Sequence, residues 1–309
     1  MNIKTKQPLL SFSLFLLIGF CLFWVFRYID AVSSAVSSAL SVCIGSIIPS
    51  IFPFLILSEF LTKTVEGKRF FSICARPFSF LFRVSERGAC AYLGGLLLGF
   101  PIGAKQIAEA YEAKEIEKSE AEHLLLFSNN TGPAFVVGCL GGLFGSFQKG
   151  VLLYIGQCVI SLLCGIFLSL KRKRPTFAKE RKTVALSSSF SLAEAIPRAA
   201  IQMLSICGYV LFFSALSSLL FPLYFCPYGK AFILSLLEIG TASSFIARAP
   251  LSLFSLPFAA FAICFSGLSV YFQGKELWEK ASLRCPYYLP CKLLQGIAAF
   301  LLFLIFSLC

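Results

Sequence analysis

The sequence predicts an all-α polytopic membrane protein. It reads as two inverted repeats, each with three spans, a re-entrant hairpin and a broken helix, plus an N-terminal anchor helix. Three observations carry this. Of 309 residues, 58% are hydrophobic, 35 are Phe and only 14% are charged, far from the balance of a soluble domain. Seven or eight apolar stretches approach the about 20 residues that cross a ~30 Å hydrocarbon core. Two of these stretches are interrupted by polar residues and glycine at corresponding places, around Ser128 and Ser266.

The formal charge of +12 raises nucleic acid as a partner, but the basic residues sit in the short polar segments between apolar runs. There the positive-inside rule accounts for them, and no nucleic acid is expected. Thirteen Cys are present; Cys43, Cys90, Cys139, Cys158, Cys164, Cys207 and Cys264 are scattered singly through apolar runs with no C-x-x-C pair, and so read as small buried hydrophobes. A single His argues against a His-ligated metal, and no cofactor is expected.

The run from Pro8 to Phe26, preceded by Lys4 and Lys6, exceeds the about 7–15 apolar residues of a signal peptide. It reads as an uncleaved anchor with a cytoplasmic N-terminus, giving a segment 1–30. The first repeat covers 31–170. Ala31 to Val42 is small and Ser-rich, an interfacial helix or packing surface, and Pro49 and Pro53 then mark a bent helix continuing to Glu59. Lys63, Lys68, Arg69, Arg76, Arg83 and Arg87 place the next segment in the cytoplasm. Its interleaved Phe70, Phe71, Ile73, Phe78, Phe80 and Leu81 suggest a helix on the membrane surface.

Ala89 to Phe100 is too short to span and ends in Gly99-Phe100-Pro101-Ile102-Gly103-Ala104-Lys105, a hairpin entering and leaving on the cytoplasmic side. Residues 105–122 read as a charged helix. His123 to Gly145 follows as a broken helix: four polar residues, Ser128-Asn129-Asn130-Thr131, precede Gly132-Pro133, and Pro133 removes a backbone donor. Hydrocarbon cannot satisfy the freed groups, so the break must face protein or a wet cavity. Val151 to Leu170 returns to Lys171-Arg172-Lys173-Arg174, and the basic linker 171–198 is cytoplasmic.

The second repeat, 199–309, offers Ala199 to Phe221 outward and a short polar-interrupted segment from Lys230 to Ile246, with Glu238, Gly240 and Thr241. Leu251 to Phe272 returns inward through Phe265-Ser266-Gly267-Leu268-Ser269, and Lys275, Lys280, Arg284 and Lys292 mark the inside before the last span. Gly103 and Thr241 are 138 residues apart, as are Ser128 and Ser266. Three crossings per repeat make the second copy inverted, and paired interrupted segments in inverted repeats point to a secondary transporter with a midplane site. The bland alternative is that Gly and Pro serve close helix packing.

At these residues the chain resembles the YlbJ-type sporulation integral membrane proteins of the nucleoside-recognition (gate) superfamily. The matching stretches are Gly99 to Lys105, Glu120-Ala121-Glu122 leading to Asn129-Asn130-Thr131-Gly132-Pro133-Ala134-Phe135, and Phe265-Ser266-Gly267-Leu268-Ser269-Val270 through Gln273. Around Glu238 the family pattern is Glu-Ile-Thr-x-Gly, whereas this chain has Glu238-Ile239-Gly240-Thr241. The resemblance implies movement of a small solute across the membranes of a spore-forming cell, with dipicolinate as cargo.

The expected site combines Ser128, Asn129, Asn130, Thr131 and Gly132 with Gly99, Pro101, Gly103 and Lys105 of the first hairpin. Glu238, Thr241, Ser266, Gly267 and Ser269 come from the second half. Hairpin tips and half-helix N-termini expose unpaired N–H groups suited to a carboxylate. Asn and hydroxyl side chains donate and accept, and Lys105 either neutralises an anion or snorkels to the interface. Glu238 either couples transport to H+ (Na+ being the other candidate ion) or is a structural carboxylate. Glu59 and Gln202 are left outside the site. The expected function is a secondary transporter or facilitator for a small organic anion, with a nucleoside or heterocycle transporter and a non-transporting scaffold as alternatives. His123 and Ser128, five residues apart, point away from each other on a helix, so an enzyme is not expected. The partners are the solute and the lipid bilayer, and a homo-oligomer is compatible with the sequence.

Overall fold

The computed structural model describes Gly19 and residues 23–172, 190–220 and 226–308. The anchor over Pro8 to Phe26 and most of the basic linker lie outside the described residues. Every regular element among the described residues is helical. Five are long and apolar enough to cross a membrane: Ile29–Lys63, Phe147–Ser169, Leu192–Leu220, Ser252–Lys280 and Tyr288–Leu308. The chain is an integral membrane protein. The seven or eight apolar stretches are not all spans, because His123 to Gly145 is divided between two short helices.

Helix α1, Ile29–Lys63, is continuous through the Ser-rich stretch and both prolines, correcting the expected separation at Val42. A π-helical turn over Cys43–Ile47 absorbs Pro49, and the Ser50 hydroxyl donates to the Ser46 carbonyl at 2.5 Å. Amphipathic α2, Val65–Phe82, buries Phe71, Ala75 and Phe82 and exposes Phe70, Ile73 and Phe80. Arg83 then turns left-handed (φ 52°), and its guanidinium donates to the Leu170 and Arg172 carbonyls, closing the end of a later span.

The first hairpin is α3, Glu86–Leu97, and α4, Ile102–Glu112. The charged stretch after it is not one helix: the chain turns at residues 113–117 and restarts as α5, Lys118–Ser128. Buried Glu120 accepts from the Ser85 amide (2.9 Å) and hydroxyl (2.6 Å), tying α5 to the start of α3. Beyond the break comes α6, Ala134–Leu143, mostly π-helical, then α7, Phe147–Ser169.

The second half has α8, Leu192–Leu220; a hairpin of α9, Pro227–Leu237, and α10, Ile239–Arg248; α11, Ser255–Phe265; α12, Gly267–Lys280; and α13, Tyr288–Leu308. The approach over Ser191 to Arg198 is thus the first two turns of α8 rather than a separate helix. Helices α5 and α11 start 137 residues apart and end 137 apart, and α4 and α10 also start 137 apart. The halves interlock through small residues: a Cβ at Gly156 of α7 would run into the Phe303 ring of α13.

Candidate functional site

Each broken helix is sealed by the tip of its own hairpin. In the first half Gly99 (φ 84°) lies against Gly132, where a Cβ on Gly99 would meet the Gly132 nitrogen at 2.5 Å. A Cβ on Gly103 would lie 2.6 Å from the Ser128 carbonyl. In the second half Ser266 (φ 71°) and Gly267 (φ 77°) make the break. A Cβ on Gly267 would sit 3.0 Å from the Leu237 carbonyl, at the tip between α9 and α10. Only glycine lets backbone approach backbone so closely, and its positive φ carries no Cβ penalty.

The polar residues of the first break are turned into the bundle. Asn129 donates to the Tyr288 hydroxyl (2.9 Å); Asn130 donates to the Phe127 carbonyl and to Ser161 (both 3.0 Å). Thr131 donates to the Ile263 carbonyl (2.8 Å) and lies 3.4 Å from the Ser266 hydroxyl, joining the two breaks directly. Gln157 donates to the Thr131 carbonyl (2.7 Å), and Lys292 to the Asn129 carbonyl (3.1 Å). The Ser128 hydroxyl and the Asn129 and Asn130 side-chain oxygens are buried with no protein partner. His123 contacts Ser169 at 2.9 Å and not Ser128.

Beside the breaks lies a small cavity of about 10 Å³, room for about one water. Its walls are Ile47 and Ile51 of α1, Phe100 of the first tip, Phe135 after the first break, Ile206 and Val210 of α8, Glu238 and Ile239 of the second tip, and Ser269, Val270 and Gln273 of α12. Both tips and the segments following both breaks therefore converge on one point. Of the expected site residues, Glu238 and Ser269 line this cavity, whereas Asn129, Asn130 and Thr131 brace its surroundings. The Ser269 hydroxyl and Gln273 Oε1 are buried without protein partners.

Glu238 is fully buried, and its carboxylate accepts from the Gly240 (2.7 Å) and Thr241 (2.5 Å) amides. It caps α10 from within, so the N–H groups expected to greet a solute carboxylate are already engaged by the chain's own. The Thr241 hydroxyl lies 2.6 Å from that of Ser214.

Next to the cavity, sharing Ile206 and Gln273 as a partition, opens a recess of about 290 Å³ lined by Pro101, Lys105, Arg198, Ile201, Gln202, Ser205, Glu276 and Leu277. Lys105 is neither free nor snorkelling: it pairs with Glu59 at 3.1 Å, and Glu59 also meets Lys63 (2.6 Å) and Arg198 (3.6 Å). The two residues left outside the site are thus at its mouth, Gln202 in the wall and Glu59 as the counter-ion. A second recess, near Lys149, Ser252 and Ser307, lies at the other end of α13. About 20 residues of helix, or ~30 Å, separate it from the α12–α13 link beside the first recess.

This arrangement, two tip-sealed breaks meeting beside a small cavity next to a larger recess, is accompanied by sequence similarity. The sporulation integral membrane protein YlbJ of Bacillus subtilis (strain 168) is 28% identical over 214 residues, which cover 66% of this chain and 52% of that protein. The chain is YlbJ-like. It spans about half the length of that relative. No protein-family profile and no solved structure matches it.

Within the bundle, the supporting residues that sequence reasoning passed over are Gln157, Ser161, Tyr288, Lys292 and Gln295. Lys292 is a correction: counted as an inside-facing orientation charge, it is fully buried in α13. A signal was present, since Gln157, Ser161 and Gly165 recur every four residues on an otherwise apolar helix, and Lys292, Gln295 and Gly296 share a face of the last one.

Proposed function

We propose that the chain is a secondary carrier or facilitator for a small organic anion, captured in its closed state. One observation supports this above the others: both hairpin tips and the segments following both breaks converge on one small cavity, with recesses toward both ends of the bundle. The 137-residue recurrence supports two inverted repeats exchanging roles, each opening one recess. Lys105 and Arg198 make the first recess attractive to an anion, with Glu59 as the internal carboxylate that a solute displaces. By the charge placement in the sequence, this recess faces the cytoplasm. The chain moves its solute unchanged, without catalysis.

The printed name of the relative associates that protein with sporulation; extended to this chain, it makes an aromatic dicarboxylate such as dipicolinate the first solute to test. The polar groups in the inner cavity, Glu238, Ser269 and Gln273, include no cation and favour a second reading, a neutral heterocycle such as a nucleoside. Flux of labelled dipicolinate and of uridine into proteoliposomes tests both. Flux of dipicolinate, diminished by Ser269→Ala, is the expected result; absence of flux for either solute, or flux indifferent to Asn129→Ala with Asn130→Ala, sinks the carrier reading.

A further inference from the structure

Among the described residues Lys292 is the only fully buried lysine or arginine, and it has no carboxylate within ion-pair distance. Its ammonium donates to the Asn129 carbonyl (3.1 Å), inside the first break, and to Gln295 Oε1 (3.4 Å). Gln295 is itself held by donating to the Leu126 carbonyl at 3.0 Å. Burying an uncompensated ammonium costs several kcal/mol, so oxygen dipoles must do what a counter-ion does elsewhere. Carbonyls released by an unwound helix are the groups that hold a coupling cation in carriers of broken-helix design.

We propose that Lys292 is a tethered cation: its ammonium supplies, at the first break, the positive charge that a free monovalent metal ion would otherwise bring. This rests on the carrier reading and specifies its coupling ion as the proton on Lys292 Nζ. With the proton present, Nζ locks the Asn129 carbonyl against α13. When the proton leaves to water admitted by an opened recess, the neutral amine keeps donors but loses the charge, and the break loosens. The ionisable groups around Nζ are Cys264 from α11, Cys164 from α7 and Cys291 on its own helix, with Tyr288 bonded to Asn129. Helix α5 contributes Glu122, which is engaged with the Arg284 amide, and the turn Ser252–Phe254 contributes no ionisable side chain. None of these is a permanent counter-charge positioned to hold the proton on Nζ.

The test is chemical rescue, which needs no knowledge of the solute. Purified Lys292→Ala is melted in sodium, methylammonium and choline chlorides at matched ionic strength. The expected melting point is about 5–10 °C below wild type, recovered in part by methylammonium, which fits the vacated space, and not by choline, which does not. Lys292→Met, which fills that space, should gain nothing from methylammonium. Equal effects of methylammonium and choline on Lys292→Ala overturn the proposal. Should that variant fail to fold, hydrogen exchange of the wild-type amides at residues 129–132 and 134–136, corrected for intrinsic rates between about pH 6 and pH 10, decides. Protection should fall as pH rises, and protection flat over the range overturns it. Loss of all solute flux, with rescue intact, would sink the carrier reading and leave the tethered cation standing; flux that requires Na+ would overturn the assignment of the proton.

Discussion

Gly99 and Gly132 meet backbone to backbone: a Cβ on Gly132 would lie 3.0 Å from the Gly99 Cα, and one on Gly99 2.5 Å from the Gly132 nitrogen. This contact fastens the first hairpin to the first break. Gly99→Ala adds both a left-handed alanine and an overlap, each costing about 1–3 kcal/mol. Melting of the purified variant should fall accordingly, while Gly142→Ala, with nothing within 4 Å of its Cβ, should be neutral or slightly stabilising. Equal melting points for the two variants would remove the contact from the account.

Glu59 holds three cations from three elements, Lys63, Lys105 and Arg198. Glu59→Gln leaves those cations without their shared carboxylate and should tighten binding of a dicarboxylate about 3- to 10-fold at low salt, with the gain shrinking as ionic strength rises. Titration calorimetry at two salt concentrations reads this; unchanged affinity would mean that the recess is not on the solute's route.

Glu238→Ala strips the two amide caps from α10 and should cost about 0.5–2 kcal/mol. The freed N–H groups then form an anion-attracting helix terminus. The variant should therefore be stabilised by added sulfate where wild type is not, in a thermal-shift series at matched ionic strength. Glu238→Gln, which keeps one acceptor oxygen, should lie between the two.

Gln273 stands with Ile206 between recess and cavity. Gln273→Ala thins this partition and removes a side-chain oxygen with no protein partner. Melting should move by less than about 1 kcal/mol equivalent, while solute uptake into proteoliposomes accelerates. Slower uptake would instead make Gln273 a solute ligand.

The breaks were legible because their chemistry is local. Gly132-Pro133 cannot continue a helix, and Ser266-Gly267 takes two consecutive positive φ values. The first hairpin was legible for the same reason, in Gly99 and Gly103. The direction in which the polar groups face was not, because their partners are distant: Asn129 reaches Tyr288, 159 residues away, and Lys105 reaches Glu59, 46 away. Serine misled once, since the small, Ser-rich stretch Ala31 to Val42 read as a separate segment, whereas α1 runs on through it and the π-helical turn before Pro49. Charge misled once as well, since Lys292 looks like its neighbours Lys280 and Arg284 in sequence and differs from them only by being enclosed.

The cavity between the tips has room for about one water, far too little for an organic solute. On the carrier reading proposed above, a solute passes only after the Phe100 and Glu238 tips have parted, so a disulfide that fastens one tip to the other would stop uptake and a reductant would restore it.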